Sequence, residues 1–281
     1  MIRDISIGQF FPGNSVIHKL DPRAKILLTL LFIISLFLCK NFFSLILMLV
    51  FSLVCILLSR ISVNLIWKSL KAIIFIVLFT SALQIIYNNK GDVLWKPFAS
   101  GNFSITTGGV YSAIFLSVRI IALILFTSLL TYTTSPTMLT DAIERLLSPL
   151  KIFKVKVHSL AMMMTIALRF IPILIREIDI IMSAQKARGA KLDNGKIGER
   201  LKAMISVFIP LFVSAFRRAA ELALAMECRC YSEGAKRTRM NRMRFALRDI
   251  VSFVLVGVLI IAVIFSSFFP MWDIFLFQAV M

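Results

Sequence analysis

Five apolar runs constrain this chain more than any other feature. They cover roughly 25–39, 42–59, 69–87, 110–132 and 250–269. A hydrocarbon core of ~30 Å takes about 20 residues of α-helix, and a helix satisfies its own backbone polar groups in lipid. Each run therefore reads as a transmembrane helix. The first is short, and Lys25 and Lys40 can reach toward the interfaces from its two ends. Lys40 and Asn41 separate it from the second, because one helix over 25–59 would place Lys40 at mid-membrane. Hydrophobic residues make up 59% of the 281, and mean hydropathy is +0.90, against about 45–50% apolar residues in ordinary globular domains. That length holds several spans and one further unit. The segment before residue 25 is polar-mixed and no small-residue cleavage pattern follows, so we read no signal peptide.

The formal net charge is +18. In a soluble chain this would suggest nucleic acid; among spans it is read loop by loop, and no nucleic-acid partner is expected. Arg3, Lys19, Arg23 and Lys25 cluster at the N-terminus, and Arg60, Lys68 and Lys71 around the second loop. The loop 88–109 holds only Lys90 and Lys96, whereas 133–249 holds 21 Lys or Arg against 10 Asp or Glu. The positive-inside rule puts the N-terminus and 133–249 in the cytoplasm and 88–109 and the C-terminus outside, a parity that five spans satisfy. The expected organisation is a cytoplasmic segment 1–24, a four-helix membrane region 25–132, cytoplasmic helices and a basic tail in 133–249, and a last span with an outside C-terminus in 250–281.

The stretch 133–249 is too apolar for an ordinary loop and too charged for plain spans. Arg169, Arg176, Glu177 and Asp179 interrupt its first long segment, and Lys202, Arg217, Arg218, Glu221 and Glu227 the second. In the second, large apolar side chains fall at 201, 205, 208, 212, 216, 222 and 226, near the 3.6 period of a one-faced helix. Three helices are expected, at about 136–148, 155–187 and 197–230, with a turn at Lys191–Gly195. Ser135 caps the first, Pro136 follows as its opening residue, and Pro149 ends it. The two long ones, each about 45 Å and kinked by Pro172 or Pro210, suit the bilayer surface. Two further spans are the alternative, at the cost of submerging Arg217 and Arg218. Lys236, Arg237, Arg239, Arg242, Arg244 and Arg248 suit anionic headgroups. The architecture is thus an all-α membrane protein: about five spans and a cytoplasmic, interfacial unit of three helices, two of them long and amphipathic.

The two long helices end alike. Ala187, Arg188 and Gly189 close one, and Cys228, Arg229 and Cys230 the other, with Phe-Ile-Pro near the middle of each. Small residues beside an arginine let a partner approach the backbone while the guanidinium meets a carboxylate through two parallel hydrogen bonds. One such arginine is readily explained as a charge at the negative end of a helix dipole. Two aligned ones suggest a docking device for two partner surfaces.

No other group amounts to a catalytic set. The spans show no carboxylate pair, histidine cluster or Ser-His pair, and no phosphate-binding Gly-Lys-Ser/Thr loop occurs. Cys39, Cys55, Cys228 and Cys230 read as reduced thiols; Cys228 and Cys230 lack a nearby histidine to complete a metal site. Arg119 lies inside the fourth run, where an ion-transport or gating role competes with a structural tether. His18 is a pH switch or part of a packed turn before Asp21 and Pro22, and His158 a surface residue. Met162, Met163, Met164, Met182, Met204 and Met226 form an adaptable surface or ordinary core filling. A stand-alone secondary transporter is the rival function, but polar groups at membrane depth are nearly confined to Arg119 and Gln84, and no inverted repeat is visible.

The chain resembles the transmembrane T component of energy-coupling factor transporters. The resemblance rests on 15–25 (Ser15 through Lys25), Thr134–Pro136, Asp141–Leu147 with Pro149 and Leu150, Arg169–Pro172, Ala184–Gly189 and Ala225–Glu227. It implies a non-catalytic scaffold without cofactor or metal, in a cell membrane. It further implies that Arg188 and Arg229 each dock into one of two ATP-binding cassette subunits, identical or not. The long helices would cradle an exchangeable substrate-binding S component and pass ATP-driven motion to it, for vitamin or metal-ion uptake. The family pattern has Ala and Gly where Cys228 and Cys230 stand, which puts a glycine-dependent helix stop at 230 in question.

Overall fold

Asp21 and Pro22 start the first helix. In the computed structural model the Asp21 carboxylate accepts the Arg23 N–H at 2.9 Å, and Pro22 takes the first position, where no N–H is needed. The structure describes residues 10–88, 93–95, 105–153, 156–190, 197–232 and 245–268. Its helices are α1 (Pro22–Leu38), α2 (Phe42–Ser59), α3 (Val63–Tyr87), α4 (Thr107–Thr133), α5 (Pro136–Leu146), α6 (Val157–Ala187), α7 (Ile197–Cys228) and α8 (Leu247–Phe268), with a 3-10 turn at Ser148–Phe153. The protein is an all-α multi-pass membrane protein. One small ribbon interrupts the helices: β1 (Val93–Trp95) pairs antiparallel with β2 (Ile105–Thr106), which the sequence does not announce. The expected turn at Lys191–Gly195, Lys90, Lys96, Arg3 and the basic residues from Lys236 to Arg244 lie outside the described residues.

Contacts divide the chain into Gly8–Ala142 with Met243–Met281, and Ile143–Arg242. In the first unit α4 is the hub. Phe42 meets Tyr111 and Phe115, and Phe51 meets Phe126, so α2 runs parallel to α4. Ser81 bonds Ser117 at 2.6 Å and Asn88 bonds Ser112 at 2.7 Å, so α3 runs antiparallel to it. Phe32 stacks on Phe126 with ring centroids 3.9 Å apart, at the centre of a core with Leu36, Met48, Ala122 and Val263. Lipid tails are as apolar as these side chains, so close packing and hydrogen bonds hold such a bundle rather than exclusion of water. α3 begins six residues before the expected start and buries none of its residues in this chain.

The polar groups at helix ends carry much of the specificity. Lys25 does not reach for the surface as expected. It is buried, and its Nζ donates to the Thr133 carbonyl at 2.9 Å, the His18 carbonyl at 3.3 Å and Thr134 Oγ1 at 3.4 Å. Asp249, 1% exposed, accepts the Asp21 N–H at 2.9 Å and the Ala246 N–H at 2.8 Å. These bonds tie α1, α4 and the start of α8 at one end of the bundle. At the other end Lys40 is exposed in the turn between α1 and α2, and Asn41 Nδ2 donates to the Ser266 carbonyl at 2.7 Å. Arg119 is a tether: it donates to the Cys39 carbonyl at 2.7 Å and lies over the Phe115 ring at 4.7 Å. Thr106 Oγ1 donates to the Asn88 carbonyl at 2.6 Å and caps α4 through the Gly109 N–H. A Cβ on Gly109 would stand 3.0 Å from the Asn88 carbonyl oxygen, which would have to give by a few tenths of an ångström to admit it.

His18 belongs to a packed turn. Its ring nitrogens lie 2.7 Å from Ser15 Oγ and 3.1 Å from the Phe11 carbonyl oxygen. Burial pushes its pKa below the ordinary value; the Phe11 carbonyl opposes this and the Lys25 charge adds to it.

Candidate functional site

Six described helices are long and apolar enough to cross a membrane, and α6 and α7 are among them. α1, at 17 residues, measures only about 25 Å. Length and hydropathy therefore do not set α6 and α7 apart from the other long apolar helices. Around α6 and α7 the elements form as their residues dictate. Ser135 caps α5 by accepting the Met138 N–H at 3.4 Å, and Pro149 enters a 3-10 turn that closes it. Glu144 on α5 lies 3.0 Å from His158 Nδ1 at the start of α6, so His158, half-exposed, has a partner that the sequence did not suggest.

α6 and α7 pack as an antiparallel pair. Gln185 Nε2 donates to the Ser206 carbonyl at 3.4 Å. Two turns away the Glu177 carboxylate accepts the Ser214 hydroxyl and, at 3.2 Å, both Nε and a terminal nitrogen of Arg218. α7 turns Ala203 and Val207 inward and Leu201, Ile205, Phe208, Phe212 and Phe216 outward. The outward phenylalanines form a ladder, with Phe212 against Phe208 at 6.3 Å and against Phe216 at 4.6 Å. The periodicity of these positions was legible; that they face away from this chain was not. Of the six methionines weighed above, Met163, Met164 and Met204 are exposed and Met162, Met182 and Met226 half-buried.

The two arginine-bearing ends share one closure. At the end of α6 the Gly189 N–H bonds the Lys186 carbonyl at 3.0 Å and the Ala190 N–H bonds the Gln185 carbonyl at 3.0 Å. At the end of α7 the Cys230 N–H bonds the Glu227 carbonyl at 2.8 Å and the Tyr231 N–H bonds the Met226 carbonyl at 3.0 Å. Both are Schellman closures, with Arg188 or Arg229 as the cap and the next residue left-handed. Gly189 has φ +86° and Cys230 φ +54°. The doubted stop at 230 therefore forms without glycine, with a Cβ in a region that L-residues enter at a cost of about 1–2 kcal/mol. Ala187, Arg188, Gly189, Cys228, Arg229 and Cys230 are all exposed, and all four cysteines are free. A Cβ on Gly189 would meet nothing within 4 Å. Among the described residues neither guanidinium has a hydrogen bond or ion pair. In the antiparallel pair the ends point opposite ways, on the order of 40 Å apart along the helices. No group of three or more His, Cys, Asp or Glu placed to hold a metal occurs among the described residues.

Residues 13–240 match the CbiQ family, described as cobalt transport protein. The chain belongs to this family. Energy-coupling factor transporter transmembrane protein EcfT of Ruminiclostridium cellulolyticum is 51% identical over 251 residues, which cover 89% of this chain and 92% of the relative. The proteins of the same name from Clostridium kluyveri and Bacillus subtilis are 46% and 43% identical, covering 95% and 92% of this chain and 98% of each relative. The CbiQ/EcfT kinship places the chain among the non-catalytic transmembrane components of energy-coupling factor transporters.

Proposed function

We propose that this chain is the coupling scaffold of an ATP-driven importer, with Arg188 and Arg229 as the docking points of two cassette ATPases. The observation that carries this reading is the repeated architecture: two helices end in the same closure and each offers one exposed arginine beside small residues, unpaired among the described residues. A bidentate pair with an acidic groove suits a guanidinium held this way. Two ends aimed in opposite directions suit two subunits of a dimer. The apolar ladder of α7 suits a membrane-embedded S component for a vitamin or metal ion, because a lipid-facing partner needs no polar matching.

The proposed topology keeps 1–24 and 133–249 cytoplasmic, passes 25–132 through the bilayer four times and 250–281 once. The charge distribution supports it. Cys228 and Cys230 are exposed while Cys39 is buried, so an impermeant maleimide tests the orientation. Labelling of the pair from outside intact cells would invert it. Docking is tested by Arg188→Glu with Arg229→Glu in affinity-tagged protein. The expected result is loss of both ATPases with membrane insertion intact; normal retention of the ATPases sinks the proposal.

A further inference from the structure

The crossing of α6 and α7 carries more polar chemistry than a passive contact needs. Pro210 has no N–H, so the Ser206 carbonyl four residues earlier loses its helical donor. Gln185 of the facing helix supplies one, at 3.4 Å. Pro172 removes the corresponding donor in α6, five residues before Glu177. Both helices are thus weakened by proline close to where they cross. There the Glu177 carboxylate takes the Ser214 hydroxyl on one oxygen and Arg218 on the other. On α7, Ala203 and Val207 are buried, both toward the Gln185 end of the crossing.

We infer that Glu177, Ser214, Arg218 and Gln185 form the pivot of the α6–α7 pair, as positioning residues that make the two arginine ends move together. This inference rests on the docking reading above. Two flexible joints next to one polar pin let the arms turn without letting the helices slide. Measured from the Glu177–Arg218 pair, the arms are matched: Arg188 and Arg229 each lie eleven residues on, about 16 Å. A small rotation at the pin therefore sweeps the two ends by similar distances, on opposite sides of the crossing. The Glu177–Arg218 pair is partly exposed, so its loss should barely change fold stability. Its effect lies in coupling.

The test uses the purified complex with its ATPases. Nitroxide labels at Leu160→Cys and Leu224→Cys, on the Arg229 side of the crossing, report the inter-helix distance in a background of Cys55→Ser, Cys228→Ala and Cys230→Gly. Distances are compared nucleotide-free and with ATP and vanadate. Glu177→Ala and Arg218→Ala should keep the ATPases bound yet reduce the fraction of molecules that shift on nucleotide binding about fivefold or more. The swap Glu177→Arg/Arg218→Glu should restore the shift, which a merely structural role would not predict. A parental response in both single variants overturns the pivot, as does failure of the swap to rescue or loss of the ATPases from the single variants. Failure of the docking reading appears separately, as ATPases retained by Arg188→Glu/Arg229→Glu.

Discussion

The bundle of α1–α4 with α8 and the pair α6–α7 treat polar residues in opposite ways. In the bundle, two charged groups are buried and given backbone partners, Lys25 on the carbonyls of Thr133 and His18 and Asp249 on the N–H groups of Asp21 and Ala246, while half-buried Arg119 donates to the Cys39 carbonyl. In the pair, charges stay at or near the surface and large apolar side chains stay exposed. The first arrangement fixes one structure, because a buried donor or acceptor without its partner is costly. The second leaves surface unused, as suits a part completed by other subunits.

The contrast can be broken most forcefully at Asp249. Asp249→Ala strands two N–H groups and should cost about 3 kcal/mol, read as a lower melting temperature in detergent. Glu177→Ala should cost under about 1 kcal/mol in the same assay. Equal losses would erase the distinction between the two regions. A smaller effect sharpens the comparison at the helix ends. Cys230→Gly should stabilise the chain by about 1 kcal/mol and Gly189→Ala destabilise it by a similar amount, since both residues are left-handed. No change on either substitution would mean that the closures are not held in the free subunit. The smallest effect concerns pH. His18 has a depressed folded pKa, so its neutral form stabilises the turn above the ordinary value of about 6.5, and that contribution disappears as pH falls through the depressed value. The melting temperature should therefore drop modestly between neutral pH and about pH 5, and less so in His18→Gln. An identical pH profile in that variant would show His18 to be indifferent.

Much of this was legible in order along the chain. The apolar runs gave the five bundle helices, with α3 starting earlier than expected because Lys68 and Lys71 do not stop a helix. The Asp21–Pro22 and Ser135–Pro136 pairs marked helix starts through local chemistry. The aligned Ala187–Gly189 and Cys228–Cys230 ends were visible because a helix end is written in a few adjacent residues. Cys230 shows the limit of that reading: glycine is the easiest way into a left-handed cap, and two backbone hydrogen bonds can hold another residue there.

What the sequence determined by itself is therefore what depends on neighbours in the chain: helix spans, caps, the placement of charge, and two arginines at matching ends. Only the tertiary structure decided the fate of side chains whose partners lie far away. Lys25 meets Thr133, Arg119 meets Cys39, Asp249 meets Asp21, and Glu177 meets Arg218. The physical reason is that hydropathy and helical period act locally, whereas a hydrogen bond between distant residues exists only once packing brings its two ends within about 3 Å of each other.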